Sequence, residues 1–273
     1  VAHRGQNVPF DPKMQTAGVG RADVWVFDTG NTGNTLTGEP RTILNMFGDT
    51  TRALARSPDG ETIYAAVFNS GNRTTVLTDD RENGDILDKA PPFENVEGAQ
   101  QPETGLIVQY NGRNWVDNGD PTSGVAPKIW DQRVKLSLPD YDVFEIDASG
   151  GTPRVVNRIS GVGTTLFNMA VNPSNGQVYV SNQEARNVVR FEGPGNNSTT
   201  VNGHFVESRI TVINNGNPNP RHLNKHINYN SRPGTGTAAE RNAALATPLE
   251  MAVSNNGANL YLAAMGSDKL ARF

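Results

Sequence analysis

The feature that most constrains the fold of this chain is a twelve-residue segment that occurs three times. The copies align without gaps at residues 54–65, 169–180 and 251–262. In each copy an alanine and a tyrosine lie nine residues apart, as Ala55 and Tyr64, Ala170 and Tyr179, and Ala252 and Tyr261. A polar turn with a glycine lies between them, and glycine readily adopts the positive φ of a tight connection. Each copy therefore predicts a β-hairpin.

Each hairpin is associated with a second pair of short strand-like runs. These pairs lie at residues 24–28 and 42–47, 141–147 and 154–159, and 209–213 and 221–227. The repeated unit is therefore four short strands, and such units arranged around an axis are the blades of a β-propeller. We predict an all-β fold, a β-propeller of four-stranded blades.

The strand count predicts about three and a half blades in this chain. The chain is expected to begin in the second strand of one blade and to end in the third strand of another, at residues 269–273. Propellers usually have about four to eight blades. We therefore expect this chain to be part of a larger ring, with the remaining blades on a longer chain or on another subunit. Because it starts at Val1 rather than Met, we expect a processed product or an excised fragment.

Long insertions separate the repeats of this single predicted propeller region, which covers residues 1–273. Tyr64 and Tyr179 lie 115 residues apart, whereas a plain blade takes about 40–45 residues. The excess is rich in Pro, Gly and Asn and lies at about residues 78–133, 193–207 and 231–246. Residues 104–110 within the first insertion predict an extra strand. Insertions of this length in a compact fold are usually functional or disordered.

Composition and charge exclude several classes of protein. The 273 residues include 24 basic and 28 acidic side chains, for a net charge of −4, which is not the basic footprint of a nucleic-acid-binding protein. No run of about 18 apolar residues predicts a transmembrane segment. The absence of Cys excludes disulfides, thiolate ligands and covalent C-x-x-C-H haem attachment within this chain, and it suits an oxidising compartment.

The repeat resembles a known family. The runs S-P-D-G-E-T-I-Y-A-A, N-P-S-N-G-Q-V-Y-V-S and S-N-N-G-A-N-L-Y-L-A, at residues 57–66, 172–181 and 254–263, are similar to the YVTN-type, YncE-like β-propeller repeat of bacterial envelope and secreted proteins. The resemblance implies a bacterial protein located in the periplasm, at the cell surface or outside the cell. The repeat is specific for fold and says almost nothing about function.

Longer stretches resemble one subgroup of large bacterial propeller proteins. They lie at residues 2–7, 20–28, 65–74, 137–144 and 221–226. Members of this subgroup can carry a cytochrome-c-like domain after the propeller. Because this chain has no such domain, haem is not expected in it.

Three histidines are candidate metal ligands: His3, His222 and His226. All lie in stretches that resemble the subgroup, and the fourth histidine is His204. Residues from different blades of a propeller converge on its central channel, so a histidine cluster there could bind copper, zinc or iron. However, His222 and His226 would lie about 13 Å apart along a strand, too far for one ion. The alternative is that these histidines are surface or hydrogen-bonded side chains.

Calcium is a second candidate metal ion. Side-chain oxygens of the kind that coordinate Ca²⁺ are clustered at Asp117, Asn118 and Asp120, and also in the acidic run at residues 79–85. Neither run matches the EF-hand pattern. The alternative is a solvated turn. Other paired carboxylates, such as Asp140 and Asp142, alternate along a predicted strand and are expected on an exposed face.

Two tryptophans in the first insertion, Trp115 and Trp130, are candidate partner-binding residues. Aromatic side chains exposed on a loop suit contact with a partner. The alternative, which we favour, is that they pin the insertion onto its blade.

The chain has no recognisable catalytic motif; a G-x-S-x-G nucleophile elbow, for example, is missing. Long loops on a rigid scaffold are where binding usually resides. The leading interpretation is a non-catalytic binding or scaffold module that recognises a protein partner through its inserted loops. The first alternative is the propeller module of a periplasmic metal- or haem-dependent oxidoreductase. A lactonase-like hydrolytic propeller is a third interpretation, and it would need histidine and acidic side chains that converge at the channel mouth.

Overall fold

The computed structural model describes residues 2–3, 21–35, 38–78, 94–95, 97–101, 105–119, 126–134, 140–187, 204–229 and 236–273. Within these ranges the regular elements are β-strands, apart from one short helix and one turn of 3₁₀-helix (Met265–Ser267). The elements are β1 (Ala2–His3), β2 (Arg21–Val26), β3 (Thr42–Phe47), β4 (Asp49–Arg56), β5 (Thr62–Asn69), β6 (Thr74–Leu77), β7 (Leu106–Tyr110), β8 (Trp115–Val116), β9 (Val143–Asp147), β10 (Arg154–Ile159), β11 (Thr165–Val171), β12 (Val178–Ala185), β13 (Val206–Asn214), β14 (Asn217–His222), α1 (Ala238–Ala243), β15 (Pro248–Val253), β16 (Leu260–Ala264) and β17 (Lys269–Arg272). No described helix has the length and apolar character needed to cross a bilayer.

The strands pair as consecutive propeller blades. Blade 1 is β1-β2-β3, blade 2 is β4-β5-β9-β10, blade 3 is β11-β12-β13-β14 and blade 4 is β15-β16-β17, each with antiparallel neighbours. Among the described residues, the strand pairing between blades 2 and 3 is a single bridge between Asn69 and Thr165. The prediction of an all-β propeller with about three and a half four-stranded blades in this chain is confirmed. In the described residues, blades 2 and 3 have four strands and blades 1 and 4 have three.

The register of the three repeats follows the predicted hairpins. The alanine and tyrosine of each copy lie directly opposite each other, as Ala55 and Tyr64, Ala170 and Tyr179, and Ala252 and Tyr261. The turn glycines all have positive φ, at Gly60 (82°), Gly176 (73°) and Gly257 (70°). In the first turn the Ser57 hydroxyl accepts a hydrogen bond from the Thr62 backbone N–H at 2.9 Å. Local turn chemistry thus determines the register of each hairpin.

The apolar core lies between blades, because alternate residues of a strand point to opposite faces of its sheet. One face of blade 2 packs against blade 1 through Ala65, Val67, Phe144, Ile146, Val24, Leu44 and Met46. The other face packs against blade 3 through Ala66, Val143, Ile159, Leu166, Met169, Val178 and Val180. Blades 3 and 4 share a smaller cluster with Ile210, Leu260 and Leu262. Each inner blade is therefore stabilised on both faces.

The long connections all lie at one end of the blades. Successive strands of a blade run in opposite directions, so its connections alternate between the two ends. The first and third turns of a blade lie at one end. The second connection and the link to the next blade lie at the other end. The connections from β5 to β9, from β12 to β13 and from β14 to β15 are all of the latter kind. The predicted insertions at 78–133, 193–207 and 231–246 fall on these three connections, although β13 already begins at Val206. We call this end the insertion end.

The first insertion forms its own three-stranded sheet, β6-β7-β8, which we call the insertion sheet. The extra strand predicted at residues 104–110 is present as β7. Leu77, Leu106 and Val108 form a small core in this sheet, and Trp115, Trp130 and Val134 pack against it. The insertion end therefore carries structured elements as well as loops.

Candidate functional site

The insertion end contains a cavity of about 640 Å³ between the insertion sheet and blade 2. Its apolar lining includes Val76, Leu77 and Trp115 from the insertion sheet and Phe47 and Tyr141 beside the blades. Its polar lining comes from Asn72, Arg73, Asp140, Thr164 and Asn187. A cavity with an apolar wall and a few placed polar groups is typical of a binding site.

The polar side of the cavity is held by hydrogen bonds across two blades. The Asn72 amide donates to the Ala185 carbonyl at 2.9 Å, and the Asn187 amide donates to the Thr74 hydroxyl at 2.7 Å. Arg73 Nε donates to Asp140 Oδ2 at 3.0 Å. These contacts tie the start of the insertion sheet to the end of β12, so the cavity wall is preorganised.

Arg73 and Asp140 form the charged pair of the cavity. Arg73 has a φ of 57°, an uncommon backbone conformation for a residue other than glycine. Its carbonyl accepts a hydrogen bond from the Tyr110 backbone N–H at 2.8 Å, which helps to hold it there. Burial raises the pKa of Asp140, and the Arg73 charge opposes that rise. Asp140 Oδ1 is buried and accepts no hydrogen bond from the described part of the chain.

Asp142 is also buried, with an exposed fraction of 1%. Its Oδ2 accepts a hydrogen bond from the Val162 backbone N–H at 2.5 Å. Burial first, and the Asp140 charge second, raise the pKa of Asp142 to about 8. The expectation of an exposed face for Asp140 and Asp142 was wrong, because both precede β9 where the link from blade 2 to blade 3 and the insertion close over the sheet.

A second cluster lies at the same end, on blade 3. His204 lies two residues before the start of β13, Glu207 lies in β13, and His222 is the last residue of β14. Their ligand atoms all lie within 4.8 Å of one another, a group that could hold a metal ion. The Tyr229 ring stacks on the His204 ring with centroids 3.5 Å apart, and the His222 ring lies 5.8 Å from both.

The environment keeps both imidazoles of this cluster neutral. Burial first, and the Arg186 charge second, lower the pKa of His204 to about 4. Burial also lowers the pKa of His222, and the Arg209 charge acts in the same direction against the opposing Glu207 charge. Burial raises the pKa of Glu207, but the hydrogen bond and charge of Arg209 outweigh it, so the net change is downward. Near neutral pH the cluster is two neutral imidazoles and one carboxylate.

Glu184 joins the cavity to the histidine cluster. Its Oε2 accepts a hydrogen bond from the Thr164 hydroxyl at 3.2 Å, and Thr164 lines the cavity. The same oxygen lies 3.6 Å from Arg209 Nη1. Arg209 in turn donates to Glu207 Oε2 through Nη2 at 2.7 Å. The two regions of the insertion end are therefore one connected polar network.

The three predicted histidine ligands have different surroundings. His222 belongs to the cluster. His226 Nε2 lies 3.1 Å from the Glu240 carbonyl oxygen, and His226 is not one of the three grouped residues. His3 pairs through its backbone with Asp23 in blade 1, and its side chain lies outside the described residues.

His204 and Glu207 were missed by sequence reasoning. The sequence contains a partial indication of this cluster. A predicted hairpin over residues 209–227 places the start of its first strand beside the end of its second strand, where His222 lies. The register that places Arg209 opposite His222 could not be read from spacing alone. The return of the chain to β13 after the second insertion, which positions His204, has no local sequence signature.

The other predicted site residues lie in the insertion sheet region. Asp117 Oδ1 accepts hydrogen bonds from the Gly119 and Lys128 backbone N–H groups, both at 2.9 Å, and its Oδ2 accepts one from Trp130 Nε1 at 2.9 Å. Asn118 lies beside it, and Asp120 is outside the described residues. The calcium site at Asp117, Asn118 and Asp120 stays a prediction.

Trp115 and Trp130 both pack against the core of the insertion sheet. The Trp130 backbone N–H donates to the Trp115 carbonyl at 2.8 Å. This packing is the arrangement expected of residues that pin the insertion. Trp115 also lines the cavity, so the partner-binding role stays a prediction for both residues and has a specific location for Trp115.

Comparisons with known proteins describe similarity at the level of fold. No protein-family model matches the chain, and neither does any curated protein. Among solved structures, Kuenenia stuttgartiensis hydrazine synthase is similar over 88% of this chain and 68% of that chain, with 16% identity and a TM-score of 0.33.

Two further solved structures are similar to most of this chain. The Cps50 (Swd1) β-propeller domain of Myceliophteria thermophila is similar over 90% of this chain and 56% of that chain, with 10% identity and a TM-score of 0.24. A candidate 6-phosphogluconolactonase from Bacteroides uniformis is similar over 93% and 74%, with 13% identity and a TM-score of 0.25. At these values the fold assignment rests on the strand pairing of the chain itself, and the YVTN-type, YncE-like assignment stays a prediction.

Proposed function

We propose that this propeller module is a non-catalytic binding module that receives a protein partner at its insertion end. The observation that carries the proposal is the cavity of about 640 Å³, whose walls are built jointly by the insertion sheet and the blades. A rigid scaffold that presents a structured insertion is the usual arrangement of a recognition site.

The lining indicates the chemistry of the partner segment. Val76 and Trp115 form an apolar wall, and the Arg73–Asp140 ion pair places polar groups beside it. A segment with an apolar side chain next to a polar group would complement both. Aromatic anchors such as Trp115 contribute strongly to binding when they are desolvated at an interface.

The same proposal includes how the propeller ring is completed and where in or outside the cell the protein is located. In the part of the chain that the structure describes, blades 1 and 4 have three strands where blades 2 and 3 have four, which supports additional strands from a longer chain or from a partner. A periplasmic, cell-surface or secreted location rests on the resemblance to the YVTN-type repeat alone.

Changing Val76 to aspartate is expected to weaken partner binding by about 10-fold or more, because it places a charge on the apolar wall. Val76 is 52% exposed, so the substitution leaves the core intact. The measurement is quantitative affinity capture from an envelope extract of the native cell, followed by a binding assay with each captured protein.

The matched control is Val156→Asp, since Val156 is also 52% exposed and lies in β10 away from the cavity. A partner whose binding is lost with Val76→Asp and kept with Val156→Asp supports the proposal. Capture of the same proteins, with equal affinity, by both variants would contradict it.

The second candidate function is the metal-dependent oxidoreductase module. The observation that favours it is the group of His204, Glu207 and His222, since two histidines and a carboxylate also hold the iron of many non-haem enzymes. Redox-active iron or copper at this group in natively purified protein, detected by electron paramagnetic resonance, would support it. Zinc at this group would contradict it.

A further inference from the structure

The strands of blade 3 bring the histidine cluster together by their register. Glu184 and Glu207 lie opposite each other on β12 and β13, and Arg209 lies opposite His222 on β13 and β14. Because Glu207 and Arg209 are two residues apart, they share a face of the sheet with Glu184 and His222. Glu207 and His222 are then diagonal neighbours, about 7–8 Å apart at the backbone and within reach of each other's side chains.

His204 is added to this face by the chain that enters β13. The Arg186 backbone N–H donates to the Phe205 carbonyl at 2.9 Å, and the Arg186 guanidinium donates to the His204 carbonyl at 2.8 Å. The Tyr229 ring stacks on the His204 ring. The imidazole is thus positioned by the backbone, by an arginine and by an aromatic ring.

The distances between ligand atoms suit a single metal ion. His204 Nε2 lies 3.5 Å from Glu207 Oε1. Two ligand atoms of a tetrahedral zinc ion, each about 2.0–2.2 Å from the metal, lie about 3.3–3.6 Å apart. The third ligand atom lies within 4.8 Å of the other two, a gap that rotation of the His222 side chain can shorten.

Two nitrogen atoms of the cluster are buried without a hydrogen-bond partner in the described part of the chain. They are His204 Nε2 and His222 Nε2. His204 is 8% exposed. A buried polar atom with no partner destabilises a fold, and a metal bond would satisfy both nitrogens at once.

The surrounding charges are compatible with a bound cation. Arg186 and Arg209 are opposed by Glu184 and Glu207, so the four side chains are formally neutral as a set. Arg209 uses Glu207 Oε2, at 2.7 Å, and leaves Oε1 facing His204. An outer hydrogen bond of this kind orients a metal-binding carboxylate.

We propose that His204, Glu207 and His222 bind one divalent late first-row transition-metal ion through two imidazole nitrogens and one carboxylate oxygen. Imidazole ligands suit zinc, copper, iron and nickel, and copper(II) is the tightest of these in the usual order of affinities. Three protein ligands leave a coordination position for water or for a side chain of a partner. The site is independent of the cavity proposal, since it uses none of the residues that line the cavity.

The test is metal titration of the whole chain after removal of metals with a chelator. Zn²⁺ binding is measured by calorimetry, and Co²⁺ binding by visible absorption, which reports coordination geometry. We expect one ion per chain. Glu207→Gln and His222→Gln are expected to weaken binding on the order of 100-fold or more, since loss of even an outer-shell partner costs about 10–100-fold.

The control is His226→Gln, because His226 lies four residues after His222 and is not one of the three grouped residues. It is expected to bind Zn²⁺ as the unsubstituted chain does. Glu207→Gln preserves shape, and circular dichroism of each metal-free variant shows whether the fold is kept. The proposal is overturned if the unsubstituted chain binds no ion, or if folded Glu207→Gln and His222→Gln bind Zn²⁺ and Co²⁺ with unchanged affinity.

Discussion

Asparagine in place of Asp142 is expected to stabilise the folded protein at pH 8 and to change its stability little at pH 4. In the folded protein the pKa of Asp142 is raised to about 8, first by burial and then by the Asp140 charge. The unfolded chain ionises this group near its ordinary value of 3.8. Between these values the folded state binds a proton that the unfolded state has released, so stability falls as pH rises.

The size of this effect follows from the pKa difference. Each pKa unit corresponds to about 1.4 kcal/mol, so the contribution present in full below pH 4 declines by several kcal/mol as the pH approaches 8. An asparagine is never ionised, and its carbonyl oxygen can still accept the hydrogen bond from Val162. Urea unfolding at pH 4, 5, 6, 7 and 8 measures the free energy of unfolding directly.

Asp147→Asn is the matched control, because hydrogen bonds from Ser149 lower the pKa of Asp147 instead of raising it. Asp147 lies in the same strand, β9, but at its exposed end. The control is expected to keep the decline in stability between pH 5 and pH 8. An unchanged decline in Asp142→Asn would show that this carboxyl is ionised in the folded protein.

Truncation of Phe144 to alanine is expected to lower the free energy of unfolding by about 3–5 kcal/mol. Phe144 is fully buried, with 0% exposure, in the core between blades 1 and 2. Its ring packs edge-on against Tyr141 with centroids 6.0 Å apart. Removing the ring leaves a cavity between the two blades. Strands of both blades would have to move to fill this cavity.

Denaturant unfolding of Phe144→Ala and of Phe205→Ala tests this packing. Phe205 is 64% exposed, so its truncation is expected to change the free energy of unfolding by no more than about 0.5 kcal/mol. Because domains of this kind have a total stability of about 5–15 kcal/mol, the first variant should be visibly destabilised. Equal stability of the two variants would mean that the interface between blades 1 and 2 contributes little to folding.

The insertion end contains both candidate sites of this protein, the cavity and the histidine cluster. The cavity and the histidine cluster lie on neighbouring blades and are joined through Glu184, Thr164 and Arg209. A metal ion on Glu207 Oε1 would bind the carboxylate that Arg209 holds through Oε2, and Arg209 is linked through Glu184 to the polar wall of the cavity. The Zn²⁺ titration and the capture experiment, done on the same protein, would show whether the two sites influence each other.

The strands, the hairpins and the blades are predictable from local patterns in the amino-acid sequence. The nine-residue spacing of Ala55 and Tyr64, and of its two repeats, became direct cross-strand pairing. That outcome is predictable because a hairpin is specified by turn residues and alternation over about a dozen neighbouring positions. The extra strand β7 was visible for the same reason.

Which polar residues are buried, and which of them contact one another, depends on how the blades and insertions pack. Asp140 and Asp142 look like an exposed strand edge until the link between blades and the insertion close over them. His222 was a candidate from sequence, whereas His204 and Glu207 join it only because the chain re-enters β13 next to the end of β14. Strand formation depends on neighbours in the chain, but burial and ligand geometry depend on segments that are distant in sequence, whose packing carries no local signal.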